Sequence, residues 1–121
     1  MTPASRERTL RIILIVVGIA QFGGSAWSFV NAMMHLPRSI ATPMLESVMM
    51  TLGVFLVLAS RNPPAYRSVI LYGGWANLAH AAVMAVMAIP VATQRAQLLI
   101  PAALAAVGGA LLLAFAPPRS P

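Results

Sequence analysis

The sequence contains no cysteine, no lysine and no aspartate, and its only carboxylate side chains are Glu7 and Glu46. Without cysteine the chain cannot form a disulfide, a thiolate metal site or a cysteine nucleophile. Charged residues make up 8% of the chain, whereas a soluble domain usually carries about a quarter. A soluble enzyme, a coiled coil and a disordered chain are therefore poor interpretations of this composition.

Apolar residues are abundant instead. They make up 60% of the 121 residues, and the mean hydropathy is +0.84. Four apolar segments each approach the roughly 20 residues that span the hydrocarbon core of a bilayer. Only helices and closed barrels satisfy their backbone hydrogen bonds in lipid, and these segments lack the alternation of barrel strands. We therefore predict four helices, at about residues 12–34, 43–59, 69–89 and 98–116.

Short breaks that contain proline or arginine separate the four segments, as at Pro37-Arg38 and Pro63-Pro64. Proline and arginine at such breaks end helices and mark the level of the lipid headgroups. Loops this short make successive helices antiparallel neighbours. The predicted fold is an all-α, integral membrane, four-helix up-down bundle that forms a single transmembrane domain over residues 1–121.

The arginines predict how the bundle is oriented. Of the eight arginines, only Arg38 and Arg95 fall on one side of the predicted bundle, and the others lie at the opposite side. The positive-inside rule assigns the arginine-rich side to the cytoplasm, so we expect both termini inside and a multi-pass location in a bacterial inner membrane. Lipid headgroups, not nucleic acid, are the expected counter-charge for the net charge of +6.

Parts of the chain resemble each other. Phe22-Gly23-Gly24 is similar to Tyr72-Gly73-Gly74, and the run that begins at Gly53 is similar to the run that begins at Gly108. These offsets, about 50 and about 55 residues, suit two copies of one helical hairpin in the same orientation. Helices rich in alanine and leucine also look alike by chance, so duplication and coincidence both stay open.

Small residues recur at helical spacing in two segments. They are Gly24 and Ser28 in the first segment, and Ala102, Ala106, Ala110 and Ala114 in the last. In lipid, small residues allow helix backbones to approach and gain dispersion contacts. The two stripes are predicted to be helix-packing positions. They either close the bundle or face a second copy or another membrane subunit.

Among the polar residues within the apolar segments, Glu46, Asn77 and His80 are the candidates for a functional role. An ionisable residue inside a membrane is costly and is a functional candidate. The alternative for Glu46 is that Thr42 caps a helix and the helix dipole favours a carboxylate near its start. Glu46 and His80 are equally far from the loop between their segments, about 20 Å along each helix. They are either a proton-relay element or a polar clasp that fixes helix register.

Other side chains give weaker signals. Trp27 and Trp75 fall inside predicted helices, where core packing or contact with a pigment, quinone or lipid are the alternatives. His35 ends the first segment and is expected at the interface. No cofactor and no metal site is predicted, although contact with a quinone, a pigment or haem stays open. The sequence shows no known catalytic motif, so we expect no enzymatic activity.

The stretch from Glu46 to Met87 carries a family resemblance. It contains LGVFLVLASRNP, then RSVI, then W-x-x-x-A-H-A-A-V-M-A-V. This pattern resembles an uncharacterised family of small bacterial four-helix membrane proteins that is distantly DoxX-like. The resemblance supports four helices and implies no assigned activity. The pattern includes Glu46, Arg61, Arg67, Trp75 and His80.

Together these observations predict a non-enzymatic accessory or structural subunit of a larger membrane complex, such as a respiratory or photosynthetic one. Its expected partners are the lipid bilayer and either other membrane subunits or further copies of itself. The alternatives are a small proton-coupled transporter centred on Glu46 and His80, or a membrane protein that binds a quinone, a pigment or haem.

Overall fold

The computed structural model describes residues 1–120, which form four long helices and no strand. The helices are α1 (Pro3–Met34), α2 (Ala41–Ala59), α3 (Arg67–Met87) and α4 (Arg95–Phe115), and a short 3₁₀ turn at Ala92–Gln94 precedes α4. All four are long and apolar enough to cross a membrane. The prediction of an all-helical chain with four such helices is confirmed.

Helix α1 begins at Pro3, well before the predicted start near residue 12. The Thr2 side chain accepts a hydrogen bond from the Ser5 backbone N–H at 3.2 Å, and proline suits the first helical position because it has no N–H to leave unpaired. A helix of 32 residues is about 48 Å long. It therefore exceeds the roughly 30 Å of a hydrocarbon core, and its polar first turns extend beyond the apolar segment.

Helix α2 begins at Ala41, so the prediction that Thr42 caps it is wrong. Instead, the Ser39 hydroxyl accepts a hydrogen bond from the Thr42 N–H at 3.2 Å and lies 2.7 Å from the Thr42 hydroxyl. No acidic residue lies in the first turn of α2. Glu46 is therefore placed beyond the orphan N–H groups that make a helix start favourable for a carboxylate.

The helices pack as two hairpins. Helix α1 packs mainly along α2 and α3 mainly along α4, while α1 with α4 and α2 with α3 make looser contacts. Because α1 and α3 each adjoin α2 and α4, they lie diagonally across the bundle.

Each hairpin closes at a pair of glycines. A Cβ on Gly18 would lie 2.7 Å from the Gly53 carbonyl oxygen, and one on Gly109 would lie 2.7 Å from that of Gly74. The two backbones are in direct contact at these points, which only glycine allows.

The largest buried apolar side chains lie at the end of the bundle where α1 begins. This core consists of Leu10, Leu14, Leu52, Leu56, Ala59, Ile70 and Leu112. All four helices contribute to it, and Phe115 and Ala116 pack against its edge. The buried apolar core of the bundle therefore lies at this end.

Arginines hold the chain at both ends. At the core end, the Arg11 guanidinium donates to the carbonyl oxygens of Ser60 and Arg61, both at 3.0 Å. At the same end, Arg67 donates to the Pro117 carbonyl oxygen at 2.7 Å. Arg95, at the opposite end, donates to the Ala88 carbonyl oxygen at 3.1 Å. The arginines thus divide between the two ends as predicted.

The contacts of the two hairpins correspond at one offset. Arg11 lies 50 residues before its acceptor Arg61, and Arg67 lies 50 residues before Pro117. Arg67 thus lies 56 residues after Arg11, which is also the separation of Gln21 and Asn77. The same offset relates the pair of Gly18 and Gly53 to the pair of Gly74 and Gly109.

The predicted offset of about 55 residues lies within one residue of this value, but the predicted offset of about 50 residues is wrong. The offset of about 50 residues equated Gly23 and Gly24 with Gly73 and Gly74. A Cβ on Gly23 or Gly24 would meet no atom within 4 Å, whereas one on Gly73 or Gly74 would meet a leucine side chain at 2.7 Å. The two Gly-Gly pairs thus occupy different environments.

Candidate functional site

A cavity of about 470 Å³ lies between the four helices, beyond the core. Its walls are mostly apolar. The polar residues among them come from α1, α2 and α3, and they are Gln21, Ser25, Ser28, Glu46, Asn77 and His80. The predicted intramembrane polar residues Glu46, Asn77 and His80 thus all line one space.

Asn77 and Gln21 are tied to each other across the diagonal of the bundle. The Asn77 side-chain amide donates to the Gln21 side-chain oxygen at 3.0 Å and to the Gly73 carbonyl oxygen at 2.8 Å. The Gln21 amide in turn donates to the Met49 carbonyl oxygen at 3.0 Å. This network joins α1, α2 and α3, and Asn77 is only 4% exposed.

Gln21 was not among the predicted polar residues. The sequence does hold a signal for it, because Gln21 follows Gly18 by three residues just as Asn77 follows Gly74. An amide at the same place after each packing glycine marks the two positions as equivalent.

Glu46 and His80 are half-buried and line the cavity with no salt bridge or hydrogen bond between them. Within residues 1–120 the one salt bridge is between Glu7 and Arg11 at 2.6 Å, far from the cavity. The side chains of Glu46 and His80 make no hydrogen bond to any described residue, in contrast to the paired amides of Gln21 and Asn77. The structure places Glu46 and His80 on one cavity but forms no ion pair between them.

Gly24 is not a close-approach position within this chain, and the packing role of Ser28 stays a prediction. A Cβ on Gly24 would meet no atom within 4 Å, and both residues line the cavity. The close approach of α1 to α2 lies at Gly18 instead. Gly24 therefore leaves space open where a larger residue would fill it.

The predicted alanine stripe does not keep to one environment. Ala102 is buried and Ala106 half-buried, while Ala110 and Ala114 are exposed. Residues four apart advance by about 40° around a helix of 3.6 residues per turn, so the stripe winds from the inside of the bundle to its outer surface. The close contact of α4 with α3 is made by Gly109.

The cavity opens to the outside between α1 and α4, and it adjoins a second pocket at Ser28. Between α1 and α4 it is bordered by the exposed apolar side chains of Val16, Leu104, Val107 and Leu111. At Ser28 it adjoins a second pocket of about 350 Å³ near the link between α1 and α2. We call this second pocket the vestibule, and it is lined by Ser28, Asn31, Ala32, His35, Arg38, Ser39 and Thr42.

His35 and the two tryptophans lie outside the cavity. His35 is exposed in the vestibule, where its Nδ1 atom lies 2.7 Å from the Asn31 carbonyl oxygen, so His35 and His80 line different spaces. Trp27 is 79% exposed and Trp75 is 64% exposed. Packing of these tryptophans in the core is therefore wrong, because both rings face outward from the bundle.

The protein consists of four apolar helices around a cavity that polar and ionisable side chains line. This arrangement is compatible with a multi-pass membrane protein. The chain belongs to a family of unknown function, DUF6632, whose family model matches residues 8–116. The match covers α1 from residue 8 and the whole of α2, α3 and α4, well beyond the stretch from Glu46 to Met87 that carried the resemblance. No curated protein and no solved structure matches the chain.

Proposed function

We propose that this chain is a non-enzymatic integral membrane protein that binds a small amphipathic molecule in the cavity between its helices. Ligand sites are typically concave and mostly apolar, with a few polar groups, and have volumes of about 300–1,000 Å³. The cavity has this character and a volume of about 470 Å³. A protein of this kind corresponds to the alternative of a quinone-, pigment- or haem-binding chain rather than to an enzyme.

The observation that carries this proposal is the pair of unpartnered ionisable side chains, Glu46 and His80. An ionisable group at membrane depth costs about 2.5 kcal/mol or more, so a position of this kind needs a compensating role. A clasp that fixes helix register is one such role, but Gln21 and Asn77 already supply it through their hydrogen bonds. Glu46 and His80 remain available to a ligand.

The shape of the bundle supports binding over transport. The core of large aliphatic side chains closes the arginine-rich end, so the cavity is accessible laterally and from the vestibule. A carrier would need that core to open. In the proposed orientation, with both termini in the cytoplasm of a bacterial cell, the vestibule faces the periplasm.

The first experiment asks whether a small molecule co-purifies with the protein. The protein is extracted into nanodiscs from its native membrane and analysed by native mass spectrometry, and the Gly24→Leu variant is compared with Gly23→Leu. Both glycines face open space, but only Gly24 lines the cavity. We expect a bound species with the wild type and Gly23→Leu and its loss with Gly24→Leu. Equal ligand content in the two variants would contradict the proposal.

A second candidate function is that of an accessory subunit in a larger membrane complex, and the outer surface of the bundle favours it. The exposed rings of Trp27 and Trp75 and the exposed small residues Ala110 and Ala114 would allow another membrane helix to pack closely. Replacing Ala110 with Phe should release such a partner in mild detergent, whereas Val86→Phe, at a position 65% exposed, should not. A protein that migrates alone before and after the change would count against this role.

The corresponding contacts of the two hairpins support a further proposal, that the bundle is a duplicated helical hairpin. The glycine pairs, the arginines and the amides of Gln21 and Asn77 all correspond at 56 residues. Both hairpins begin at the same end of the bundle, which makes this a parallel repeat. The duplication explains why the two amides meet, since equivalent residues lie on opposite sides of one pseudo-two-fold axis.

A further inference from the structure

We infer that the ligand of the cavity is an uncharged amphiphile whose head group carries a hydroxyl, held between Glu46 and His80. This inference rests on the proposed function and names the chemical class of the ligand. It follows from the hydrogen-bonding capacity of the two side chains, from the charges around the cavity and from the asymmetry between the two hairpins.

Glu46 and His80 present complementary hydrogen-bonding groups to the cavity. An ionised carboxylate only accepts hydrogen bonds, whereas a neutral imidazole donates through one ring nitrogen and accepts through the other. Neither side chain has a partner among the described residues. A hydroxyl both donates and accepts, so a hydroxyl-bearing head group matches both side chains.

The charges around the cavity disfavour a charged head group. Glu46 is the one acidic residue that lines the cavity, and it would repel a carboxylate or a phosphate. A cationic head group that entered through the vestibule would meet the Arg38 guanidinium. The charges thus favour an uncharged head group over an anionic one at the site and over a cationic one on the vestibule route.

The lateral opening provides a place for the apolar part of the ligand. Val16, Leu104, Val107 and Leu111 border it on α1 and α4, and all four side chains are exposed. A head group held near Glu46 and His80 would leave its apolar chain between these side chains, continuous with the surrounding lipid. The ligand could thus enter from the bilayer without crossing the core.

A second groove in the bundle, which neither Glu46 nor His80 lines, serves as a comparison for the cavity. It lies between α2 and α3, has a volume of about 500 Å³, and is lined in part by Leu52 and Tyr72. At the offset of 56 residues, Leu52 corresponds to Gly108 and Tyr72 to Val16, so the two grooves are equivalent. The Leu52 side chain belongs to the core, whereas Gly108 lines the cavity and has no side chain to extend into it.

Neither ionisable residue of the cavity has an ionisable counterpart in the other hairpin. At the same offset, His80 corresponds to Gly24 and Glu46 to Ala102. Gly24 lines the cavity with no neighbour near its missing side chain. The two ionisable side chains thus come from α2 and α3, and Gly24, the counterpart of His80 on α1, leaves open space at the cavity wall. This asymmetry selects one of two equivalent grooves as the site.

The test uses two probes that differ only in their hydroxyl groups, decylhydroquinone and its dimethyl ether. Their binding to the full chain in phosphatidylcholine nanodiscs is measured by equilibrium competition and mass spectrometry. A hydrogen bond to a charged group corresponds to about a tenfold or larger difference in affinity. We therefore expect the wild type to bind decylhydroquinone at least about tenfold more tightly than the dimethyl ether.

Variants of the two side chains give the decisive comparison. Glu46→Leu and His80→Leu should each reduce the preference for decylhydroquinone, and Glu46→Leu should bring the two probes to within about twofold, since it removes the charged acceptor. Glu7→Leu is the matched control, because Glu7 is the other carboxylate of the chain and pairs with Arg11 outside the cavity. Circular dichroism and gel filtration establish that each variant is folded.

The outcomes separate this inference from the proposed function. Equal affinity of the wild type for both probes, with both lost in Gly24→Leu, would overturn the hydroxyl assignment and leave the cavity as a ligand site. Failure of the wild type to bind either probe would also overturn the assignment. The proposed function would then be decided by the co-purification comparison of Gly24→Leu with Gly23→Leu.

Discussion

At the scale of single residues, the polar side chains of the cavity divide into two groups with different roles. Gln21 and Asn77 are held by hydrogen bonds to each other and to backbone carbonyls. Glu46 and His80 line the same cavity without such partners. The sequence could predict that Glu46, Asn77 and His80 are unusual, because they interrupt apolar segments. It could not predict which of them are paired, because pairing depends on how each helix is rotated.

The amide pair leads to a prediction about stability. Replacing Gln21 or Asn77 with Leu leaves the other amide with an unmatched group, at a cost of about 1–3 kcal/mol. We expect the double replacement to be less destabilising than the sum of the single ones. Thermal unfolding of the four proteins in one detergent measures this coupling. A parallel cycle with Asn77 and Asn31, which lies in the vestibule, should be additive. Additivity for Gln21 and Asn77 would contradict the prediction.

The packing glycines lead to a second prediction. Gly18→Ala should destabilise the fold by about 1–3 kcal/mol, the range for forcing an extra methyl group into a packed site. The reason is that the new Cβ would lie 2.7 Å from a backbone oxygen of Gly53, which cannot move as a flexible side chain would. Gly23→Ala, in open space, is the control and should not be destabilising. Denaturant titration in detergent compares the two, and similar midpoints would show that α1 and α2 separate easily.

At the scale of the elements, the apolar segments predicted the number and approximate positions of the helices but not where α1 begins. Hydropathy identifies the part of a helix that suits lipid, and a helix can continue beyond it wherever its polar residues keep their backbone hydrogen bonds. Helix α1 does so from Pro3. Its arginines therefore act as helix residues as well as markers of the membrane surface.

Two of these arginines allow a test of the equivalence of the hairpins. Arg11→Met and Arg67→Met should each destabilise the fold by about 1 kcal/mol, the typical net value of a hydrogen bond, since each guanidinium donates to carbonyl oxygens beyond the following helix. Arg8→Met serves as the control, because the Arg8 side chain makes no hydrogen bond within residues 1–120. The measurement is again the thermal midpoint in detergent. A loss at Arg11 with none at Arg67 would show that the two contacts are not equivalent in energy.

At the scale of the whole molecule, the cavity is the feature that the sequence could not predict. Part of its space lies beside Gly24, whose counterpart in the other hairpin is His80, and this relation becomes visible only at the offset of 56 residues. The more conspicuous Gly-Gly pairs suggested a different register. The short links favoured an up-down arrangement, but the distribution of space inside the bundle depends on which glycines are in contact.

The orientation of the whole chain in the membrane is the last prediction. All but two of the eight arginines belong to one side of the bundle, so the positive-inside rule places that end in the cytoplasm. Because the chain contains no cysteine, single cysteines give an unambiguous label. Leu36→Cys, at a position 46% exposed, should react with an impermeant maleimide in intact cells, and Asn62→Cys only after permeabilisation. Trp27→Cys, on an outward apolar face, should stay unlabelled in both conditions. The reverse pattern for Leu36 and Asn62 would place the vestibule in the cytoplasm, and a ligand that approached through it would then come from inside the cell.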